Sequence, residues 1–174
     1  AIVLNGNLLD GGGSGAGSSA ALVVSIGTCT TCGFAGYVGH TRNNILAGGS
    51  NPSRYGVIED PMPGRTMHVE ILENNLFNFA PAAGTTDVVY REMAWTGGTT
   101  PNPTDLTDVS MVNGMTMPLT AANIEGDPLL DATWHIMSGS PCIDSGTATE
   151  APPDDFDGDT RPNGSAVDIG PDER

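Results

Sequence analysis

The chain has no lysine. Its six basic residues, Arg42, Arg54, Arg65, Arg91, Arg161 and Arg174, are scattered against 21 acidic residues, for a formal charge of −15. A phosphate backbone needs clustered cations, so this distribution argues against a nucleic-acid partner. No apolar run approaches the roughly 18 residues of a membrane span, and the first residues offer neither a basic region nor an apolar stretch of signal length. Three cysteines are too few for a disulfide framework. Helical periodicity is missing as well, and the most expected is a brief turn at Ala121–Asn123, after Pro118. What the chain has instead is 24 Gly and 13 Pro, spread along 174 residues, which disfavours a helical bundle. Its apolar share of 38% arrives in short β-branched runs, enough to pack one domain and too much for wholesale disorder.

A diverged repeat runs through the first half. Asn5-Gly-Asn7-Leu-Leu9, Thr41-Arg-Asn-Asn44-Ile-Leu46 and Leu72-Glu-Asn-Asn75-Leu-Phe77 each place an Asn before two apolar residues, 37 and then 31 residues apart. Spacings of that size point to stacked units. Asn fits a bend between two strands because it tolerates left-handed backbone and its amide bonds to neighbouring backbone, so stacked copies can form a ladder. Further strand candidates are Ala21–Ile26, Tyr37–Val38, Tyr55–Ile58, Met67–Leu72 and Val88–Met93. In Met67–Leu72, alternation predicts Met67, Val69 and Ile71 on one face and His68, Glu70 and Leu72 on the other. Asp10–Gly17, Asn51–Ser53 and Thr96–Thr104 read as loops.

The last third carries the most specific pattern: Asn123-Ile-Glu-Gly-Asp-Pro-Leu-Leu130, Ser140-Pro-Cys-Ile-Asp-Ser-Gly146, Asp155-Phe-Asp-Gly-Asp159 with Arg161, and Val167-Asp-Ile-Gly170. In order and spacing these segments resemble the C-terminal end of secreted bacterial right-handed parallel β-helix proteins of the choice-of-anchor or pectate-lyase-like repeat family. The resemblance covers about 50 of the 174 residues. It implies an all-β right-handed parallel β-helix, a solenoid with an irregular C-terminal cap. Residues 1–126 are then coils with long loops, and residues 127–174 a closing coil and cap, with Trp134, Ile136, Pro141, Ile143 and Val167 as apolar cover, all in one continuous domain. It also implies an extracellular or cell-surface location. A solenoid that opens in strand-like sequence at Ala1–Asn5 exposes an edge, to be covered by the rest of a longer solenoid or by other subunits.

Candidate chemistry concentrates in the acidic loop. Asp155, Asp157 and Asp159 offer oxygen ligands at alternate positions, which suits calcium, with Asp154 beside them. Gly158 at the fourth place, Thr160 at the sixth and no Glu at the twelfth exclude an EF-hand. The alternative is a structural network in which one Asp pairs with Arg161 while Asp168 or Asp144 joins it; the family resemblance adds weight to that side. Cys29-Thr-Thr-Cys32 sits in loop-like flanks, which favours a local disulfide over a redox pair or half a zinc site completed by His40 and Cys142. Cys142 otherwise reads as a small buried thiol.

The family hosts polysaccharide lyases and glycosidases as well as non-catalytic proteins. A lyase base would fall to Arg42, Arg65 or Arg91, with His40, Glu70, Tyr90 and Glu92 on plausible outward faces; a glycosidase needs two carboxylates across a cleft. None of these residues lies in a recognisable catalytic motif. His40, His68 and His135 read as surface or supporting residues. The sequence therefore favours a structural or binding module over a polysaccharide-degrading enzyme.

Overall fold

A computed structural model describes residues 3–12, 17–25, 36–37, 39–60, 67–79, 84–94 and 102–174, and over these the protein is all-β with parallel sheets. Two short strands and one long strand follow in series three times. The first series is β1 (Val3–Asn5), β2 (Leu8–Asp10) and β3 (Ser18–Ser25). After β4 (Gly36–Tyr37) come β5 (His40–Arg42), β6 (Ile45–Ala47) and β7 (Ser53–Asp60); after β8 (Met67–His68) come β9 (Ile71–Glu73), β10 (Leu76–Asn78) and β11 (Thr86–Ala94). The chain then forms β12 (Asn102–Leu106), a short helix α1 (Val109–Asn113), β13 (Leu119–Ala121) and β14 (Ile124–Glu125).

Corresponding strands of successive series pair with each other. The result is three four-stranded sheets, ordered β1-β5-β9-β13, β2-β6-β10-β14 and β3-β7-β11-β12, with β4 and β8 as a smaller pair. All these pairings are parallel except β11 with β12. Equivalent side chains therefore stack in columns, such as Leu9, Leu46 and Phe77, or Leu22, Val57, Tyr90 and Leu106.

Period-two alternation then divides the apolar residues between two cores. Ile45 and Leu46 are both fully buried, yet Leu46 joins Val57, Leu72, Phe77 and Tyr90 inside the sheets, while Ile45 joins Leu76, Ile136, Cys142 and Ile169 on the outer face of the second sheet. Burying one such aliphatic or aromatic side chain contributes about 1.5–3 kcal/mol. The inner core is packed against bare backbone at Gly56, where a Cβ would stand 2.5 Å from the Phe77 ring. Residues 127–174 form the outer layer, with only isolated bridges at Leu130 with Ile136 and Asp154 with Thr160. The layer runs beside the stack: Asn5, Asn43 and Asn74, one from each series, donate side-chain hydrogen bonds to the carbonyls of Thr149, Thr147 and Ser145.

Three local details differ from the sequence expectations. The alternation through Met67–Leu72 is interrupted at a corner between β8 and β9, so Val69 and Leu72 are buried while Ile71 turns partly outward. Residues 102–104, expected in a loop, belong to β12, whose Pro103 sits on an edge strand where no ladder donor is needed. A helix exists at Val109–Asn113: Asp108 caps it by accepting from the Ser110 N–H, and Val112 packs into the inner core.

Candidate functional site

Turn chemistry orders the inner stack. Asn7 donates both its backbone N–H (3.0 Å) and its Nδ2 (2.9 Å) to Asn44 Oδ1, and Asn44 does the same to Asn75 Oδ1 at 3.1 Å each. Asn75 repeats this to Asn123 Oδ1 and Asn123 to Asn113 Oδ1. The carbonyls of Asn7, Asn44 and Asn75 accept from the N–H of Ile45, Leu76 and Ile124. At the far end Asn113 stands in for a further unit, because its Nδ2 donates to the Asn123 carbonyl (2.8 Å). A left-handed residue precedes each of Asn7, Asn44, Asn75 and Asn123: Gly6, Asn43, Asn74 and Ala122 have φ of 66°, 54°, 50° and 53°.

Carboxylates organise the outer layer. Asp155 Oδ1 accepts from the backbone N–H of Asp157 (2.9 Å) and Asp159 (2.8 Å), and its Oδ2 from that of Glu173. Burial opposes ionisation of Asp155, but the N–H donors of Asp159, Asp157 and Glu173 prevail and hold its carboxyl below the ordinary range. Asp157 turns instead to His135 (Oδ2 to Nε2, 2.6 Å), and the exposed Asp159 carboxylate makes no hydrogen bond among the described residues. Two of the three carboxylates are thus engaged, each with different partners.

Arg161, 8% exposed, donates to the carbonyls of Asp168, Gly170 and Asp172 and faces the buried Glu173 carboxylate at 3.7 Å. Asp168 accepts from the N–H of Asp144 (2.6 Å) and Arg174 (2.9 Å), while Asp144 Oδ1 accepts from Ser165 and Ala166. Arg161, Asp144 and Asp168 are brought into one neighbourhood through Glu173, which accepts from the Asp168 N–H. Among the described residues, none of Asp155, Asp157 and Asp159 forms an ion pair with Arg161.

A second constellation surrounds His135. Its Nδ1 pairs with Thr133 Oγ1 (2.8 Å), whose hydroxyl donates to Asp131 (2.8 Å). His135, Asp157 and Asp172 present potential ligand atoms within 4.8 Å of one another. The Asp157 carboxylate raises the His135 pKa. The Phe156 ring stacks at a tilt on the imidazole, with centroids 5.1 Å apart. Beside it opens a cleft of about 580 Å³ between the first series and the outer layer, walled by Trp134, Phe156, Pro171, Leu8, Asn5 and Asp154. Trp134 and Phe156 are 57% and 49% exposed, and Trp134 holds a left-handed φ of 73°. Sequence reasoning places His135 as a surface or supporting residue and does not single out Asp172, because their meeting depends on chain segments 37 residues apart.

On the outer face of the first sheet, His40 lies between Glu150 (Nδ1, 2.7 Å) and Glu70 (Nε2, 3.4 Å), and Arg42 binds Glu73 (Nε, 3.0 Å) and Glu150. Arg91 forms a two-point pair with Asp105 at 2.6 Å and lies 4.5 Å over the Tyr55 ring. Both described arginines considered as lyase bases are therefore charge-paired. Glu92 is half-buried. Tyr90 is fully buried, and burial first, then the Glu59 carboxylate, push its hydroxyl far above the ordinary range, so it is not an outward catalytic group. Cys142 is free and buried, and burial pushes its thiol up to about 11. Cys29, Cys32, Arg65 and the His68 side chain lie outside the described residues. No helix is long and apolar enough to cross a membrane, searched over the described residues.

No family model, curated protein or solved structure matches the chain.

Proposed function

We propose that the chain is a right-handed parallel β-helix module of the secreted bacterial kind that its C-terminal motifs resemble, acting outside the cell or at its surface as a scaffold and binding element. The observation that carries this reading is the asparagine ladder. A chain that stacks equivalent residues at Asn7, Asn44, Asn75 and Asn123 has its repeating geometry in the scaffold, and the stacking does not depend on the connecting loops. Two further observations support a non-catalytic role. Arg42 and Arg91 are held by carboxylates, and Asp155, the other carboxylate lining the cleft beside Asp154, is occupied by backbone N–H groups.

The same ladder supports membership of a larger assembly. Asn7 Oδ1 accepts no hydrogen bond among the described residues, and β1, β2 and β3 are each the last strand of their sheet. A further strand-Asn-strand unit, from a longer chain or another subunit, matches this edge, and because residues 5–9 of the edge also wall the cleft, such a unit competes with any cleft ligand for that space. Polysaccharide is the ligand class that suits the cleft, with exposed indole and phenyl faces for sugar rings and the Asp154 carboxylate for hydroxyls.

Incubation with neutral and acidic polysaccharides tests the reading. Neither unsaturated products nor new reducing ends are expected, whereas co-sedimentation with at least one polysaccharide is expected and is weakened in Trp134→Ala. Turnover that disappears in Arg42→Ala or Arg91→Ala would overturn it in favour of a lyase.

A further inference from the structure

We propose that His135, Asp157 and Asp172 form a binding site for a divalent transition ion of the zinc class, linking three segments of the outer layer. The three residues come from the turn at 131–137, the loop at 154–159 and the C-terminal tail, and their ligand atoms lie within 4.8 Å of one another. Zinc bound at about 2.0–2.1 Å by nitrogen and oxygen places tetrahedral ligands about 3.3 Å apart, so binding opens the 2.6 Å contact between His135 Nε2 and Asp157 Oδ2 and draws in whichever of the ligand atoms, spread over up to 4.8 Å, stand wider than that.

Each donor is held in place without the ion. Asp131 Oδ1 accepts the His135 N–H (3.0 Å), Asp155 Oδ1 accepts the Asp157 N–H (2.9 Å), and Asp172 Oδ2 accepts the Ile136 N–H (2.6 Å). The imidazole orientation is fixed from its other nitrogen, where Thr133 Oγ1 sits at 2.8 Å and is itself bonded to Asp131. A hydroxyl or carboxylate on the far nitrogen is the usual means of directing a ligating imidazole. Asp172 gives the site a buried anchor: it is only 5% exposed, and its second oxygen accepts no hydrogen bond among the described residues.

The donor chemistry selects the ion. One imidazole nitrogen with two carboxylate oxygens suits zinc, cobalt or manganese, whereas calcium takes oxygen ligands throughout. Two carboxylates also balance the charge of a divalent ion. The site differs from the Asp155, Asp157 and Asp159 set that the sequence suggested for calcium, sharing only Asp157.

Calorimetric titration of the metal-free protein with Zn²⁺, alongside the visible spectrum of the Co²⁺ form, tests the proposal. One saturable equivalent is expected, with a Co²⁺ spectrum of low-symmetry coordination and a higher thermal midpoint on Zn²⁺ addition. Affinity is expected to fall at least about tenfold in His135→Gln and Asp157→Asn, and about tenfold in the positioning variant Thr133→Val. Asp159→Asn is expected to bind as wild type. Circular dichroism of the metal-free variants checks that they fold. Unsaturable binding, or equal affinity of wild type and His135→Gln, would overturn the site, as would loss of binding in Asp159→Asn alone. These outcomes are independent of polysaccharide binding and turnover, so failure of the metal site and failure of the scaffold reading are distinguishable.

Discussion

The strand stack and the outer layer satisfy their turns by opposite chemistry. In the stack, neutral amides at Asn44, Asn75 and Asn123 each accept and donate and Asn7 donates into the same column, so one copy passes hydrogen bonds to the next. In the layer, carboxylates at Asp131, Asp144, Asp155, Asp168 and Asp172 collect backbone N–H groups from their surroundings. An amide has both kinds of hydrogen-bonding group and can propagate a column, whereas an ionised carboxylate only accepts and therefore ends one. A repeating geometry selects the first and an irregular geometry the second. The difference explains how a chain with a charge of −15 keeps a largely uncharged ladder at its centre.

The strongest way to break the comparison is at the middle of the ladder. Asn75→Ala removes the acceptor for Asn44 and three donations, to Thr41, Glu73 and Asn123, at a fully buried position. At about 1–3 kcal/mol for each buried group left unsatisfied, a loss of about 4 kcal/mol or more is expected in urea unfolding. Asn7→Ala, at the open end, should cost about 1 kcal/mol. Equal losses at the two positions would contradict a ladder whose strength depends on having neighbours on both sides.

The matching cut in the layer is Arg161→Met, which leaves the Glu173 carboxylate buried beside three uncapped carbonyls. A cost of about 3 kcal/mol is expected, and limited proteolysis should detect release of 127–174 before the stack opens. Simultaneous cleavage of both regions would show that they unfold as one unit.

Acid should separate the regions with a smaller effect. The Thr133 hydroxyl and the His135 and Thr133 N–H groups hold Asp131 down to about 2, and the Ala166 N–H and Ser165 hold Asp144 below its ordinary range. A carboxylate with a lowered folded-state pKa contributes stability above its unfolded value of about 3.9, and that contribution is lost as pH falls through the folded value. Asp168 opposes the trend, because burial raises its pKa. Pepsin digestion between about pH 4 and pH 2, followed by mass spectrometry, should show cuts appearing first within 127–174 as pH falls. A pattern unchanged over this range would remove the carboxylates as the layer's main fasteners.

The smallest expected effect is a gain. Ala122 occupies the left-handed position that Gly6, Asn43 and Asn74 fill in the other units. Ala122→Gly or Ala122→Asn should relieve about 1 kcal/mol of backbone strain and raise the thermal midpoint. Destabilisation by both substitutions would show that this turn differs from its three counterparts.

Much of the stack was legible because repetition leaves a trace in sequence. The Asn7, Asn44 and Asn75 spacings located three rungs, and the β-branched runs located parts of the long strands β3, β7 and β11. Asn123 was harder to align because 48 residues separate it from Asn75. Asn113 was harder still, since it reaches the ladder from a five-residue helix and not from a strand–bend–strand unit. The left-handed backbone falls one residue before Asn7, Asn44, Asn75 and Asn123, a distinction that Asn-Asn pairs such as Asn43-Asn44 conceal.

The candidate sites were less legible. The sequence grouped Asp155, Asp157 and Asp159 because they are close along the chain, but folding directs Asp155 to backbone donors and Asp157 toward His135 and Asp172. By itself the sequence determined the all-β class, the acidic charge and the repeating asparagines, because each follows from composition or from a pattern along the chain. Only tertiary structure decided which carboxylates meet the histidine and which fasten the outer layer. The reason is chemical: a carboxylate is satisfied by a backbone N–H, and every residue except proline offers one, so nothing in the side-chain pattern marks the partner.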